Sequence, residues 1–317
     1  MGMLSIVLIV VVALGFVIIP AYADNYSYSP FRTGQSPFGE LPTDAQIRQD
    51  MEVLSTQSEK IRVFENSDIE PIVRFANMYG LQVSVGANEN IDEIIALDKK
   101  YPDTIESIIF GNNDVVNGKT PEKLISEINE LKQITDIPIT SLNNPKIWLD
   151  NPQLAEAVDF IFTDAFTAQT DPVGDANQIQ NIYQLISEKY PHKHIVLETG
   201  WSTVDSSKSQ QLQFIDEINK LDLDIFYFEY TDEDWKQNKR ESGFGILTAN
   251  REQKTEEIPQ EPIQKNILEQ YAESVQKDPA TQAATGAVGI GGILITLLKM
   301  FGYMKFGNQG WGDPYIS

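Results

Sequence analysis

The chain contains no cysteine and only two histidines in 317 residues. The first absence excludes disulfides, thiolate metal sites and a thiol nucleophile. The second leaves His192 and His194, which bracket Lys193 ahead of a β-rich run. With no third ligand at helical or loop spacing, they read as a solvated pair, and no metal is expected. Positive charge is also scarce: 24 Lys and Arg face 46 Asp and Glu, a formal net charge of −22. A surface that acidic repels phosphate backbones, so no nucleic-acid partner is expected. No glycine-rich phosphate loop follows the first β-rich run, which argues against a nucleotide fold. No cofactor is implied. With 41% hydrophobic residues and 10% aromatics the chain can nevertheless build a real core.

Long apolar runs occur only at the two ends. Residues 4–19 are almost unbroken apolar, followed by Ala21 and Ala23. That pattern reads as a signal peptide over residues 1–23, cut after Ala23, with an uncleaved anchor as the alternative. Residues 283–304 are apolar and glycine-rich, with Lys299 and Lys305 at their close. They approach the ~20 residues a membrane-spanning helix needs, and the flanking lysines put that end inside. A buried or interfacial hairpin is the alternative, because four glycines weaken a helix there. Residues 251–282 are a polar, proline-punctuated linker with helical spacing through Ile267, Tyr271 and Val275, and residues 305–317 are a short tail. The expected location is therefore extracytoplasmic, at the cell surface and membrane-anchored through the C-terminal helix.

Between residues 24 and 250, eight β-rich runs alternate with helical patterns: 26–29, 60–64, 81–85, 107–110, 137–140, 159–163, 194–197 and 224–228. Most are continuously apolar, as strands covered on both faces should be. Thr43 and Gln46 form a capping-box signature, and Thr120-Pro121 opens another helix. Further helical segments lie at 68–79, 90–99, 175–189 and 209–221. Eight β/α alternations in one segment of this length predict an α/β fold, a (β/α)8 TIM barrel.

In such a barrel, function gathers where strands end. Those ends carry Arg62, Asn112-Asn113-Asp114, Asp164, Glu198 and Glu229. A carboxylate closing an apolar strand costs desolvation energy unless it is paired, so each needs a partner or a purpose. Pairing between Arg62 and a glutamate is the structural alternative. The acidic triplet Asp232-Glu233-Asp234 lacks the spaced oxygen ligands of a calcium loop and reads as solvated, and Phe226, Tyr227 and Phe228 read as core.

Several blocks, in order, give the chain a family likeness over residues 28–254. They are Pro30-Phe31-Arg32-Thr33-Gly34-Gln35-Ser36-Pro37, Ile61-Arg62-Val63-Phe64, Tyr79-Gly80-Leu81-Gln82-Val83, Glu198-Thr199-Gly200-Trp201, and Phe228-Glu229-Tyr230-Thr231-Asp232-Glu233-Asp234-Trp235-Lys236. Together they resemble glycoside hydrolase family 17, the β-1,3-glucanases and glucan transglycosylases. The resemblance implies a retaining mechanism with a carboxylate nucleophile and a carboxyl acid/base. By block position it makes Glu198 the nucleophile and gives Asn112 a hydrogen bond to the sugar 2-hydroxyl. Arg62, Glu229, Trp235 and Lys236 would shape the sugar site, with Trp201 stacking on a ring. The implied partner is a β-glucan-like polysaccharide.

The departures are specific. Asn113 stands where the family carries its acid/base glutamate, and an amide cannot deliver and recover a proton at neutral pH. Asp164-Ala165-Phe166-Thr167 replaces a histidine and Pro-Tyr-Trp block, Phe64 replaces a tyrosine and Ser202 a proline. Three readings follow. The domain is a pseudo-enzyme that binds a glycan or a protein through a retained groove; or Asp114 or Asp164 has taken over the acid role; or the leaving group needs no acid.

Overall fold

The computed structural model describes residues 25–255 except Asn66, Glu89 and Asp205. The expected signal segment, most of the linker and the expected C-terminal span lie outside the described residues. Among the described residues no helix is long and apolar enough to cross a membrane.

Eight parallel strands close on themselves in sequence order: β1 (Asn25–Tyr28), β2 (Lys60–Val63), β3 (Gln82–Ala87), β4 (Ile105–Asn112), β5 (Ile139–Asn143), β6 (Ile161–Asp164), β7 (Ile195–Thr199) and β8 (Ile225–Tyr227). Every expected β-rich run overlaps one of these strands. Between them lie α1 (Asp44–Leu54), α2 (Ile69–Tyr79), α3 (Ile91–Lys100), α4 (Pro121–Leu131), α5 (Pro145–Asp150), α6 (Pro152–Ala157), α7 (Pro172–Lys189) and α8 (Lys208–Asn219), with α9 (Lys239–Ser242) after β8. The capping box at Thr43 and Gln46 opens α1, and Thr120 caps α4 with Pro121 in its first turn. Residues 145–157 were not read as helical from the sequence. Pro152 splits that crossover into α5 and α6, each too short to show a helical period, yet Trp148 of α5 is fully buried.

Side chains alternate along each strand, so each strand has a helix-facing set and a lumen set. Tyr26, Tyr28, Ile61, Val63, Val83, Val85, Ile195, Leu197 and Tyr227 join the large core between strands and helices. The lumen has two halves. On the β4–β8 side, Ile109, Leu142, Phe162, Val196 and Phe226 form a separate apolar cluster. On the β1–β3 side the opposite parity supplies Ser27, Arg62 and Ser84, all buried.

The closing seam between β8 and β1 is short, with only Asn25 opposite Phe226 and Tyr26 opposite Tyr227. Side chains reinforce it. Asp50 of α1, buried, accepts from Tyr28 Oη at 2.8 Å and pairs with Arg32 at 3.0 Å and Arg251 at 2.7 Å. Arg251 also donates to the carbonyls of Ser29, Pro30 and Phe31. Lys254 pairs with Asp232 at 2.8 Å. Side chains past the expected boundary at residue 250 are thus part of the barrel. Removing Asp50 leaves two nearly buried guanidinium groups without their carboxylate, a change that typically costs 3–5 kcal/mol. Asp50→Ala is expected to lose stability by about that amount in urea unfolding; a loss below about 1 kcal/mol would show that the seam does not depend on this cluster.

Candidate active site

The lumen set determines which side chains reach the open end of the barrel. Glu198 lies two residues past Val196, Asp164 two past Phe162 and Phe228 two past Phe226, so all three follow the inward parity. Glu198 is 3% exposed. Its Oε1 accepts from Ser27 Oγ at 2.5 Å and pairs with Arg62 Nη1 at 3.2 Å. The guanidinium lies over the Phe64 ring, 4.0 Å from its centroid. Arg62 thus takes the place expected for a partner of Glu198, from beneath.

Asp164 and Glu198 are register partners on adjacent strands. Neighbouring strands run ~4.8 Å apart, so the two carboxyls stand side by side. Asp164 Oδ2 also accepts from Asn113 Nδ2 at 2.9 Å. The carboxyl therefore reaches from β6 to the residue after β4, the position at which the family likeness expects its acid. Burial is the main cause that pushes the Asp164 carboxyl up, to about 6; the negative charge of Glu198 adds to it and the Asn113 amide opposes it. Asn113 is held in a left-handed conformation, φ 58°, which asparagine tolerates better than most side chains.

The other expected residues divide. Asp114 turns away, pairing with Lys119 at 2.7 Å and accepting from the Asn112 backbone N–H at 3.2 Å, so it belongs to the β4–α4 turn. Asn112 ends β4 and is half-buried. Trp201 has no face for a sugar: it is fully buried against Phe214, and its indole N–H donates to Ser206 Oγ at 2.6 Å. Glu229 is likewise fully buried, so it cannot touch a ligand directly. It stands 3.5 Å from Lys236, which also pairs with Glu233.

That cluster corrects the reading of the acidic triplet as solvated. Glu233 is buried, and Asp232 pairs with Lys254 and accepts from the Gly245 N–H. Burial and then the charge of Glu233 push Glu229 well above the usual carboxylate range. Burial works the same way on Glu233, but Lys236 outweighs it and holds that carboxyl below its ordinary value. Trp235 is half-buried, and its N–H donates to Glu233 Oε1 at 3.1 Å.

An apolar wall completes the site. Phe228 is packed edge-on to Phe64, Phe166 and Phe244 at 5.3–6.0 Å. The chain can pass this closely only because residue 200 is glycine: a Cβ there would stand 1.8 Å from the Phe228 carbonyl oxygen. Sequence reasoning missed Ser27 and Glu233. Ser27 was legible as the polar residue between two tyrosines in β1; Glu233 was masked by the charges on either side of it. The two histidines make separate pairs, His192 with Glu156 and His194 with Asp224.

A closed eight-stranded barrel with neighbouring carboxyls at its open end is an architecture that glycoside hydrolases use among other enzymes. A family model described as the BtgE/BtgC glycoside hydrolase domain matches residues 26–245, and the chain belongs to that family. Among solved structures it is similar to an active-site mutant of the Rhizomucor miehei β-1,3-glucanosyltransferase in complex with laminaritriose. The identity is 16% over 74% of this chain and 96% of that one, with a TM-score of 0.63. The glycoside hydrolase family 17 β-1,3-glucanosyltransferase of the same organism gives 17% identity over the same shares and a TM-score of 0.61. A plant β-glucan endohydrolase gives 12% over 73% and 98%, with a TM-score of 0.56. At these identities the solved structures show a common fold. No curated protein sequence matches the chain.

The Asp164 environment predicts a stability signature. Its folded-state value, about 6, lies above the ordinary 3.8. Its contribution is therefore fully present below pH ~4 and lost as pH rises through 6. Asp164→Asn removes that loss, so at pH 7 the variant is expected to be more stable than wild type by on the order of 2 kcal/mol. The gap should close as pH falls toward 4, as read from denaturant midpoints across pH. A variant less stable than wild type at pH 7 would show that the carboxylate is well solvated.

Proposed function

We propose that the protein is a retaining glycoside hydrolase or transglycosylase of the family 17 type, acting on β-glucan or a related cell-surface polysaccharide, with Glu198 as nucleophile and Asp164 as acid/base. The observation that carries this reading is the Asp164 carboxyl, which adjoins Glu198 in register and is hydrogen-bonded to Asn113. The two side chains leave adjacent strands in register on the lumen face, as a closely spaced carboxyl pair of a retaining enzyme requires. The elevated value of Asp164 suits a group that must hold a proton and release it near neutrality.

In the first step a Glu198 oxygen bonds to the anomeric carbon, the bond to the leaving sugar oxygen breaks, and the Asp164 proton passes to that oxygen. In the second, the Asp164 carboxylate takes a proton from water, or from a sugar hydroxyl in transfer. The deprotonated oxygen bonds to the anomeric carbon and Glu198 leaves as carboxylate. Ser27 and Arg62 steady Glu198, while Glu229, Glu233 and Lys236 support the wall and Trp235 from beneath. β-Glucan is favoured because the similar solved structures include a glucanosyltransferase with laminaritriose and a plant β-glucan endohydrolase. The apolar runs at residues 4–19 and 283–304 support export and tethering at the cell surface, with the barrel, which reaches past residue 250 through Arg251 and Lys254, between them.

A non-catalytic carbohydrate- or protein-binding module is the second reading. The near-complete burial of Glu198 against Arg62 favours it, because such a pair also serves as a lumen ion pair. Turnover separates the two. Laminarin-type glucan should yield reducing ends or transfer products with the wild-type chain. Glu198→Gln should abolish this, and Asp164→Asn should lower it by 10²–10⁴-fold. An aryl glucoside whose leaving group needs no proton should still react in Asp164→Asn but not in Glu198→Gln. Glucan binding without turnover by the wild-type chain would establish the second reading.

A further inference from the structure

Seven large apolar side chains are exposed among the described residues: Phe38, Leu41, Met78, Val116, Ile134, Val173 and Val204. Only Met78 and Ile134 lie away from the loops that follow strands. The other five stand on the loops after β1, β4 and β7 or in the first turn of α7, all around the open end. Phe38, at 67% exposure, is the most prominent. Its loop is built rather than loose: Gln35 bridges to Glu40, the Ser36 N–H donates to the Glu40 carbonyl, and the Gly39 N–H donates to Ser36. The Phe38 ring stands edge-on to Trp235, 6.5 Å between centroids, and Trp235 in turn packs edge-on to buried Phe31 at 6.0 Å. Thr33 donates to Asp234 at 2.6 Å, tying the Phe38 loop to the segment that carries Trp235.

We propose that Phe38, braced edge-on by Trp235, forms an outer sugar-binding platform, on which a glucose unit of a neutral glucan chain rests while another unit lies at Glu198. This rests on the function proposed above and adds where the chain extends: from the carboxyl pair toward the β8–β1 seam. The chemistry fits a neutral polysaccharide. A β-linked pyranose presents C–H groups on its faces, which suit the electron-rich face of an aromatic ring, and hydroxyls on its edge, which suit carboxylate acceptors such as Asp234 and Glu40. The same carboxylates, on a chain of net charge −22, repel an anionic polymer. Trp235 is tied toward the site from beneath: it donates to Glu233, which pairs with Lys236, itself beside Glu229 and the Phe228 ring.

Binding of laminari-oligosaccharides of increasing length to the full chain tests this, with Glu198→Gln as background so that ligands persist. Affinity should rise with length until the platform is filled. Adding Phe38→Ala should remove about 5- to 10-fold of affinity for the longer ligands and leave the shortest unchanged. Phe38→Trp should restore the gain. Length dependence that ignores Phe38, or an equal loss at every length, overturns the platform and leaves the parent function standing. If no glucan of any length binds and the wild-type chain cleaves none, the parent reading falls and the platform with it.

Discussion

The lumen contains a charge pair that the fold could not easily do without. Arg62 and Glu198, both almost wholly buried, meet between β2 and β7, with Ser27 of β1 on the same oxygen. Burying two ions is costly, and removing one partner strands the other. The pair thus commits the β1–β3 half of the lumen to polar residues, while the opposite half fills with Ile109, Leu142, Phe162, Val196 and Phe226. It also spans the seam region, where backbone pairing is short. The site is therefore part of what closes the barrel, together with Asp50 and its two arginines on the helix side.

Burial and neighbouring charge also distinguish the acids at the open end. Glu198 has Arg62, and Glu233 has Lys236. Asp164 and Glu229, each beside one of those carboxylates, are the two raised by burial and by their neighbour's charge. Asp232, pushed up to about 6 by burial although it pairs with Lys254, shows that burial alone can raise an acid here; Asp164 and Glu229, with no cation to themselves, resist ionisation too. One of them, Glu229, is sealed inside. The other, Asp164, is partly exposed and stands next to Glu198.

Much of this was legible in the sequence. Eight β-rich runs, the caps at Thr43 and Thr120, and the clustering of Arg62, Asp164, Glu198 and Glu229 at strand ends all carried local signals. What stayed hidden depended on parity and on contacts across the barrel. A continuously apolar run does not announce which alternate residues face the lumen, so Trp201 and Glu229 read as ligands although both point into packed interior. Asp232-Glu233-Asp234 looked like a solvated run because nothing local shows Lys236 and Lys254 folding onto it. Asp114 and Asp164 were equal candidates by position. Only the turn that ties Asp114 to Lys119 and the register that sets Asp164 beside Glu198 separate them.

The left-handed backbone at Asn113 decides which side chains that position can hold. The conformation suits asparagine, and its amide already grips the neighbouring acid. A glutamate placed there would meet an unfavourable turn, would set a second negative group against Asp164, and would forfeit the amide's grip. The local geometry thus holds the amide in place: a carboxylate at position 113 would lie uphill in both shape and charge.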